Sequence, residues 1–224
     1  MEEILDGTQN GRPSCCIIHG MPGVGKSQLS LRYAEKSFED GRYPYIFWTS
    51  ATSVDKSTQG FSRVLDLVGH PYRHLEDQSV KLTAARLWLE EYHVNWLLII
   101  DNVDRSTLDF LRLHCPREGN ILFTTRTVDV ALALVNMTRT PHCMLKLQTL
   151  NQDDTTNLLF KDAGIGLEFV TPSRLNNAKL LVEAVGRLPL AVVQAASFMR
   201  ETHTTLDEML ELYNSEEKIE VGTR

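Results

Sequence analysis

The sequence predicts an α/β fold in which a parallel sheet flanked by helices is followed by a small all-helical unit. Three observations predict it: strand-like and helix-like segments alternate between residues 15 and 147, a glycine-rich loop follows the first strand, and strand-like runs stop after residue 148. Continuous apolar strands are typical of parallel sheets that helices cover on both faces. Ligands of such sheets bind at the carboxyl ends of the strands.

The first unit contains five strand-like segments. They are Cys15 to His19, Tyr45 to Thr49, Trp96 to Ile100, Asn120 to Thr124 and Cys143 to Leu147. These runs are short and largely apolar, as strands buried on both faces must be. Because helix-like stretches separate them, we predict one α/β domain over residues 1–147.

The loop from Gly20 to Ser27, with the sequence GMPGVGKS, fits the phosphate-binding pattern G-x-x-x-x-G-K-[ST]. Its glycines permit a tight turn in which backbone N–H groups converge on phosphates. Lys26 supplies a positive charge for the β and γ phosphates, and Ser27 offers a hydroxyl to Mg²⁺. The helix that follows directs the positive end of its dipole at the same anion. An apolar strand before the loop and an amphipathic helix after it favour this interpretation over an unliganded glycine-rich turn, and predict binding of a nucleoside triphosphate.

Asp101 follows the most apolar of the strands and is the predicted partner of Ser27 in holding Mg²⁺. A hard cation on a triphosphate keeps several waters and needs only one or two protein oxygens. Taken alone, the Asp101-Asn102 pair fits a turn after a buried strand. The phosphate-binding loop earlier in the same α/β pattern favours the metal role.

Arg126 follows the next strand-like segment, two residues after Thr124. Its planar, permanently charged fork suits the oxygens of a γ phosphate and would distinguish a triphosphate from a diphosphate. An ordinary surface arginine at a strand end explains the residue equally well by chemistry alone.

Four helix-like segments follow residue 148. They are Asn151 to Ala163, Thr171 to Val185, Leu188 to Glu201 and Thr205 to Tyr213. The residues from Thr205 to Glu208 fit a capping box. The segment from Leu188 to Met199 is apolar nearly all round, which predicts the buried centre of a helical bundle. We predict a helical domain over residues 148–215 and a frayed tail over residues 216–224.

Composition excludes several classes of protein. A chain of 224 residues with 42% hydrophobic content is typical of a soluble globular protein. A formal charge of −6 and a pI near 5.7 argue against nucleic acid or an anionic membrane as a partner. The four cysteines lack C-x-x-C spacing, which indicates reduced thiols and a cytoplasmic location. Neither a signal peptide nor an apolar run of membrane-spanning length is present in the sequence.

Four motifs occur in order along the chain. They are Gly20 to Ser27, Leu97 to Asp104, Thr124-Thr125-Arg126, and Gly186 to Ala191 with the sequence GRLPLA. In this order they resemble the NB-ARC class of STAND P-loop NTPases, which includes plant disease-resistance receptors, animal apoptosis-activating factors and fungal NOD-like receptors. Tyr45 to Ala51 is similar to the second strand of the fungal and bacterial members. The resemblance covers nearly the whole chain and identifies the helical unit as ARC1-like.

The resemblance implies a signalling switch that binds an adenine nucleotide. ADP holds a closed resting state, and exchange for ATP opens the module and lets the full-length protein form a homo-oligomer. In this scheme Arg126 senses the γ phosphate and Pro189 touches the adenine. Without the resemblance, Pro189 is simply a proline that starts a helix.

The predicted site has three groups of residues. The ADP or ATP ligands are Gly23, Val24, Gly25, Lys26, Ser27, Gln28, Arg126 and Pro189; the Mg²⁺ ligands are Ser27 and Asp101; the catalytic candidates are Lys26, Asp101, Arg126 and Asp104.

Asn102 departs from the family pattern, because many relatives have a second aspartate there that is proposed to orient or activate water. An amide cannot act as a general base. Asp104 is a candidate substitute, but it lies two residues further along the chain than the missing aspartate. We therefore expect at most a slow Mg²⁺-dependent ATPase. The alternatives are a P-loop ATPase that turns over actively, such as an AAA-like remodeller or motor, and a purely structural nucleotide. We expect the chain to be the core of a larger receptor, because the adenine-binding segment upstream and the winged-helix module downstream are not recognisable.

Overall fold

The computed structural model describes residues 15–91, 94–117, 119–137 and 142–221. The described residues form two compact units, one of residues 15–21 and 26–147 and the other of residues 22–25 and 148–221. The first fourteen residues and the last three, which the predicted domain 1–147 and the predicted tail include, lie outside the described residues.

All five predicted strands of the first unit are present. They are β1 (Cys15–His19), β2 (Tyr45–Ser50), β3 (Trp96–Val103), β4 (Asn120–Thr125) and β5 (His142–Lys146). Its helices are α1 (Lys26–Glu39), α2 (Val54–Leu67), α3 (Gln78–Glu91), α4 (Leu108–His114) and α5 (Val128–Val135), with 3₁₀ turns at Pro71–His74 and Arg105–Thr107.

The sheet is parallel throughout, in the order β2-β3-β4-β1-β5. β1 lies between β4 and β5, and β3 lies on the other side of β4. Since the strands are parallel, their carboxyl ends lie along one edge of the sheet. The loop after β1 and the polar residues that end β3 and β4 therefore lie at the same edge.

Successive residues of the strands point to opposite faces of the sheet, and each face packs into its own hydrophobic core. Ile17 and Phe123 belong to the core that α2, α3, α4 and α5 complete. Ile18 and Leu122, the neighbours of these residues in sequence, belong to the core on the side of α1. Burial on both faces explains why the inner strands β1, β3 and β4 are largely apolar rather than alternating.

Phe123→Ala should destabilise the protein by about 3–5 kcal/mol, because it empties a fully buried aromatic site on a central strand. Phe38→Ala is the matched control, since the Phe38 side chain is 62% exposed at the end of α1. Its cost should stay below about 0.5 kcal/mol. Denaturant unfolding followed by circular dichroism measures both values. Equal costs would contradict the placement of Phe123 in the core.

The second unit consists of helices. They are α6 (Gln152–Ala163), α7 (Pro172–Ala184), α8 (Pro189–Thr202) and α9 (Leu206–Val221), with a 3₁₀ turn at Leu167–Phe169. Leu159, Leu181 and Val192 are fully buried in its core. No helix in the described part of the chain is long and apolar enough to cross a membrane.

Two helices of this unit differ from the prediction. α8 packs mainly on α6, which covers one side of the helix. Leu190 and Phe198 of α8 are exposed, so this helix is not buried all round as predicted.

α9 continues to Val221, whereas the sequence predicted an end at Tyr213 and a frayed tail. The capping box is present, since Thr205 N–H donates to Glu208 Oε2 at 2.7 Å and Glu208 N–H donates to Thr205 Oγ1 at 3.3 Å. The glutamates and lysine that follow are good helix formers and continue the helix.

Candidate phosphate-binding site

The glycine-rich loop joins β1 to α1, which begins at Lys26. Gly23 and Gly25 have φ angles of 77° and 100°, in the left-handed region that side chains with a Cβ rarely adopt. Gly23 also lies close to another backbone segment of its unit, because its carbonyl accepts a hydrogen bond of 3.2 Å from the N–H of Leu190. The glycines of the motif are therefore required by the backbone conformation itself.

Lys26 is held under the loop. Its side chain is buried, and Nζ donates to the carbonyl oxygens of Gly20 at 2.7 Å and Met21 at 2.8 Å. Burial lowers the pKa of Lys26, and the charge of Arg126 lowers it further, while Asp101 acts in the opposite direction. The ammonium thus lies in a desolvated position next to another cation, where an anion would stabilise its charge.

Ser27 and Asp101, the two predicted Mg²⁺ ligands, are in direct contact. The Ser27 hydroxyl lies 2.8 Å from Asp101 Oδ1 and 3.0 Å from Oδ2, although the residues are 74 positions apart in sequence. One comes from the first turn of α1 and the other from β3. The sheet topology therefore brings a hydroxyl and a carboxylate together beside Lys26.

A bulge in β3 positions Asp101. Ile100 pairs with Phe123 and Val103 pairs with Thr125, so Asp101 and Asn102 both lie opposite Thr124. Asn102 has a φ of 60°, a left-handed conformation that asparagine tolerates better than most residues. The asparagine that departs from the family pattern thus suits the bulge.

Asp104, the candidate substitute for a catalytic base, caps the 3₁₀ turn after β3. Its Oδ1 accepts hydrogen bonds from the Ser106 backbone N–H at 3.0 Å and from the Ser106 hydroxyl at 3.1 Å. These bonds, with a smaller contribution from the charge of Arg126, lower the pKa of Asp104. A carboxylate whose ionised form is stabilised in this way is a weaker base.

Cations surround the carboxyl end of β1. Lys26 and Arg126 are close enough for each charge to act on the other, and Lys146 lies at the end of β5, in register with His19. Burial lowers the pKa of His19, and the charges of Lys146 and Lys26 lower it further. Lys26, Arg126 and Lys146 thus place several positive charges near this edge of the sheet, which favours the approach of anions.

The remaining predicted ligands have different environments. Val24 is buried, whereas Gln28 is exposed on the first turn of α1. Pro189 is the first residue of α8 and is half-buried. It precedes Leu190, whose N–H reaches Gly23, so the second unit itself places the loop residues 22–25 beside the start of α8.

Three residues of this region were absent from the sequence-based site: His19, Thr124 and Lys146. His19 ends one predicted strand and Lys146 is the next-to-last residue of another, so knowledge that these two strands are neighbours would have brought them together. The position of Thr124 opposite Asp101 and Asn102 depends on a bulge, and the sequence pattern of an apolar strand followed by polar residues does not reveal a bulge.

The sequence profile described as the NB-ARC domain matches residues 1–165 of the chain. The chain belongs to the NB-ARC domain family. A nucleotide-binding leucine-rich repeat (NLR)-like protein of Hyaloscypha variabilis is 28% identical over 88% of this chain and 21% of its own length. Disease resistance protein RPP13 of Arabidopsis thaliana is 24% identical over 89% of this chain and 24% of its own length. This NB-ARC chain thus spans about a fifth of the length of such relatives.

Solved structures support the fold. Cdc6p of Pyrobaculum aerophilum superposes with a TM-score of 0.62 at 13% identity, over 90% of this chain and 60% of its own. Domain III of the replication initiation protein DnaA of Thermotoga maritima superposes with a TM-score of 0.57 at 18% identity, over 95% of this chain and 88% of its own. At these identities the similarity concerns the fold alone, and it confirms the predicted parallel P-loop NTPase sheet flanked by helices.

Proposed function

We propose that this NB-ARC chain is the ADP/ATP-binding switch module of an NLR-type signalling receptor and hydrolyses ATP slowly at most. The observation that carries the proposal is the contact of Ser27 with Asp101 next to the buried ammonium of Lys26. A hydroxyl, a carboxylate and a cation at the amino end of a helix are the groups that a magnesium nucleotide needs.

The contacts of the Lys26 ammonium support a role as a phosphate ligand. The carbonyls of Gly20 and Met21 engage two of the three hydrogens of its ammonium. We propose that the third donates to the β and γ phosphates. Burial and the repulsion from Arg126 both disfavour the charge of Lys26, and a bound phosphate would offset both effects.

The Ser27 and Asp101 oxygens fit Mg²⁺, which prefers hard oxygen ligands and takes one or two from the protein beside the phosphates. We propose that these residues hold the ion, directly or through water. Bound Mg²⁺ would neutralise the charge that the phosphate oxygens carry. Arg126, at the end of β4, would contact the γ phosphate and report its presence.

Slow turnover follows from the residues beside Asp101. Asn102 is an amide and cannot take a proton from water. Asp104 has a lowered pKa and an oxygen engaged by Ser106. Neither residue is suited to act as a general base, which favours retention of the nucleotide over rapid cycling.

The receptor role rests on the relatives. These relatives are named as an NLR-like protein and as disease resistance proteins, and all are several times longer than this chain. We propose that the helices from α6 to α9 form an ARC1-like domain, that Pro189 contacts the adenine, and that the full-length cytoplasmic protein forms a homo-oligomer in its ATP state.

The test is to denature the purified protein, identify any released nucleotide by chromatography, and follow phosphate release from added ATP in the same preparation. Retained ADP with little phosphate release is the result that the switch predicts. Absence of bound nucleotide together with steady turnover would overturn the switch and favour an actively cycling ATPase.

A further inference from the structure

Thr124 is fully buried and lies opposite the bulge that carries Asp101. Two residues of β3, Asp101 and Asn102, face this single residue of β4, so the regular ladder of hydrogen bonds is interrupted there. The Thr124 side chain supplies hydrogen bonds where the backbone ladder is interrupted. Its Oγ1 accepts the N–H of Asn102 at 2.8 Å and donates to Asp101 Oδ1 at 2.5 Å.

This arrangement fixes the carboxylate from two sides. A hydroxyl has one hydrogen, and that of Thr124 is engaged by Asp101 Oδ1. The Ser27 hydroxyl approaches the same carboxylate from α1. Thr124 thereby orients Asp101 from β4, the strand that leads directly into Arg126.

We propose that Thr124 is a positioning residue that orients the Asp101 carboxylate for Mg²⁺ and links the strand of Arg126 to the metal site. This inference rests on the proposed function, because it assumes that Mg²⁺ binds with the nucleotide. Hydrogen-bond partners of metal-ligating carboxylates typically contribute about 10- to 100-fold to metal affinity. The effect should therefore appear in the Mg²⁺-dependent part of nucleotide binding and not in the part that persists without the ion.

The test compares Thr124→Val with Thr125→Val by titration of ATP into each protein, with Mg²⁺ and with EDTA. Thr125 is the matched control, since it is equally buried on the same strand and its hydroxyl donates to the Val103 carbonyl instead. The gain in ATP affinity that Mg²⁺ brings should be about 10-fold smaller for Thr124→Val than for the unmutated protein. Thr124→Ser, which keeps the hydroxyl, should retain most of this gain.

Separate outcomes identify which idea fails. If the unmutated protein gains affinity with Mg²⁺ and Thr124→Val gains as much, the positioning role of Thr124 is wrong. An equal loss of the Mg²⁺-dependent affinity in Thr125→Val would also overturn it, because the effect would then follow from removing any buried hydroxyl of β4. If the unmutated protein does not bind ATP at all, the proposed function itself falls. Should Thr124→Val fail to fold, the comparison of Thr124→Ser with Thr124→Ala decides the same question.

Cys16 and Cys143 form a second, independent feature. They are register partners on the neighbouring strands β1 and β5, and their Sγ atoms lie 2.8 Å apart. β5 is an edge strand, and Cys143 is half-buried while Cys16 is buried. The hydrogen bond between the thiols lowers the pKa of Cys143, and this bond together with burial raises that of Cys16. Cys143 is thus the more acidic and the more accessible of the pair.

We infer that this thiol pair is an oxidation site that a hydroperoxide converts into a disulfide. The Cys143 thiolate attacks hydrogen peroxide, which forms the sulfenic acid and releases hydroxide. The Cys16 thiol then attacks the sulfenic sulfur, and water leaves as the S–S bond forms. The hydroxide takes up the proton that the Cys143 thiol lost on ionisation, so the net reaction consumes two thiols and one peroxide and yields one disulfide and two waters.

Thiol titration and peptide mass spectrometry after treatment with hydrogen peroxide test this inference. The unmutated protein should fall from four titratable thiols to two and give a crosslinked pair of peptides that contain Cys16 and Cys143. Cys115→Ser, which removes a buried thiol outside the pair, should give the same crosslink. Cys143→Ser should abolish it, and Cys16→Ser should leave Cys143 oxidised without a partner. A crosslink that involves Cys15 or Cys115, or oxidation of Cys143 to a sulfinic acid while Cys16 stays reduced, would overturn it.

Discussion

Lys26→Ala is expected to lower the affinity for ATP and for ADP by about 100-fold or more. The substitution removes a buried ammonium that the carbonyls of Gly20 and Met21 hold in place. A charged hydrogen bond contributes about 1.5–3 kcal/mol, and the desolvated position of Lys26 places its contribution at the upper end of this range. Isothermal titration calorimetry with each nucleotide measures the loss.

Lys56→Ala is the control for this experiment, because it removes the same charge from an exposed position in the first turn of α2. Its affinity should stay within about twofold of the unmutated protein, since exposed charges that do not touch a ligand contribute little. Comparable affinities of Lys26→Ala and Lys56→Ala would show that the nucleotide binds elsewhere or does not need the loop.

Arg126→Ala is expected to weaken ATP binding by about 10-fold while ADP affinity changes by less than about twofold. The reason is that Arg126, at the end of β4, is the proposed contact of the γ phosphate, which ADP lacks. Arg126→Lys keeps the charge but loses the planar fork, so it should restore part of the preference for ATP.

Arg112→Ala is the matched control for Arg126, because Arg112 is an exposed arginine on α4 that pairs with Asp109. It should leave both affinities unchanged. Equal affinities for ATP and ADP in the unmutated protein, or equal losses of both in Arg126→Ala, would contradict the sensor role of Arg126.

The main elements of the fold followed from the sequence because the physical signals were local. The strands of the sheet are short and largely apolar runs, and the loop motif fixes the join between β1 and α1. The pairing of Ser27 with Asp101 was predictable from the same logic, since the carboxyl ends of parallel strands share one edge.

What the sequence did not reveal depends on register and on packing partners. The bulge at Asp101 and Asn102 becomes visible only when β3 is aligned with β4, and so does the contact with Thr124. The proximity of Cys16 and Cys143 likewise requires the position of β5 beside β1. The exposed stripe of α8 went unpredicted because an apolar composition does not show how many helices cover it.

The proposed function depends above all on whether ATP and ADP bind at the loop with the help of Mg²⁺. The decisive measurement is calorimetric titration of both nucleotides into the unmutated protein after removal of any nucleotide that co-purifies, with Mg²⁺ and with EDTA. The proposed function predicts one site, binding that Mg²⁺ strengthens, and different affinities for ATP and ADP. No detectable binding of either nucleotide, with or without Mg²⁺, would contradict it.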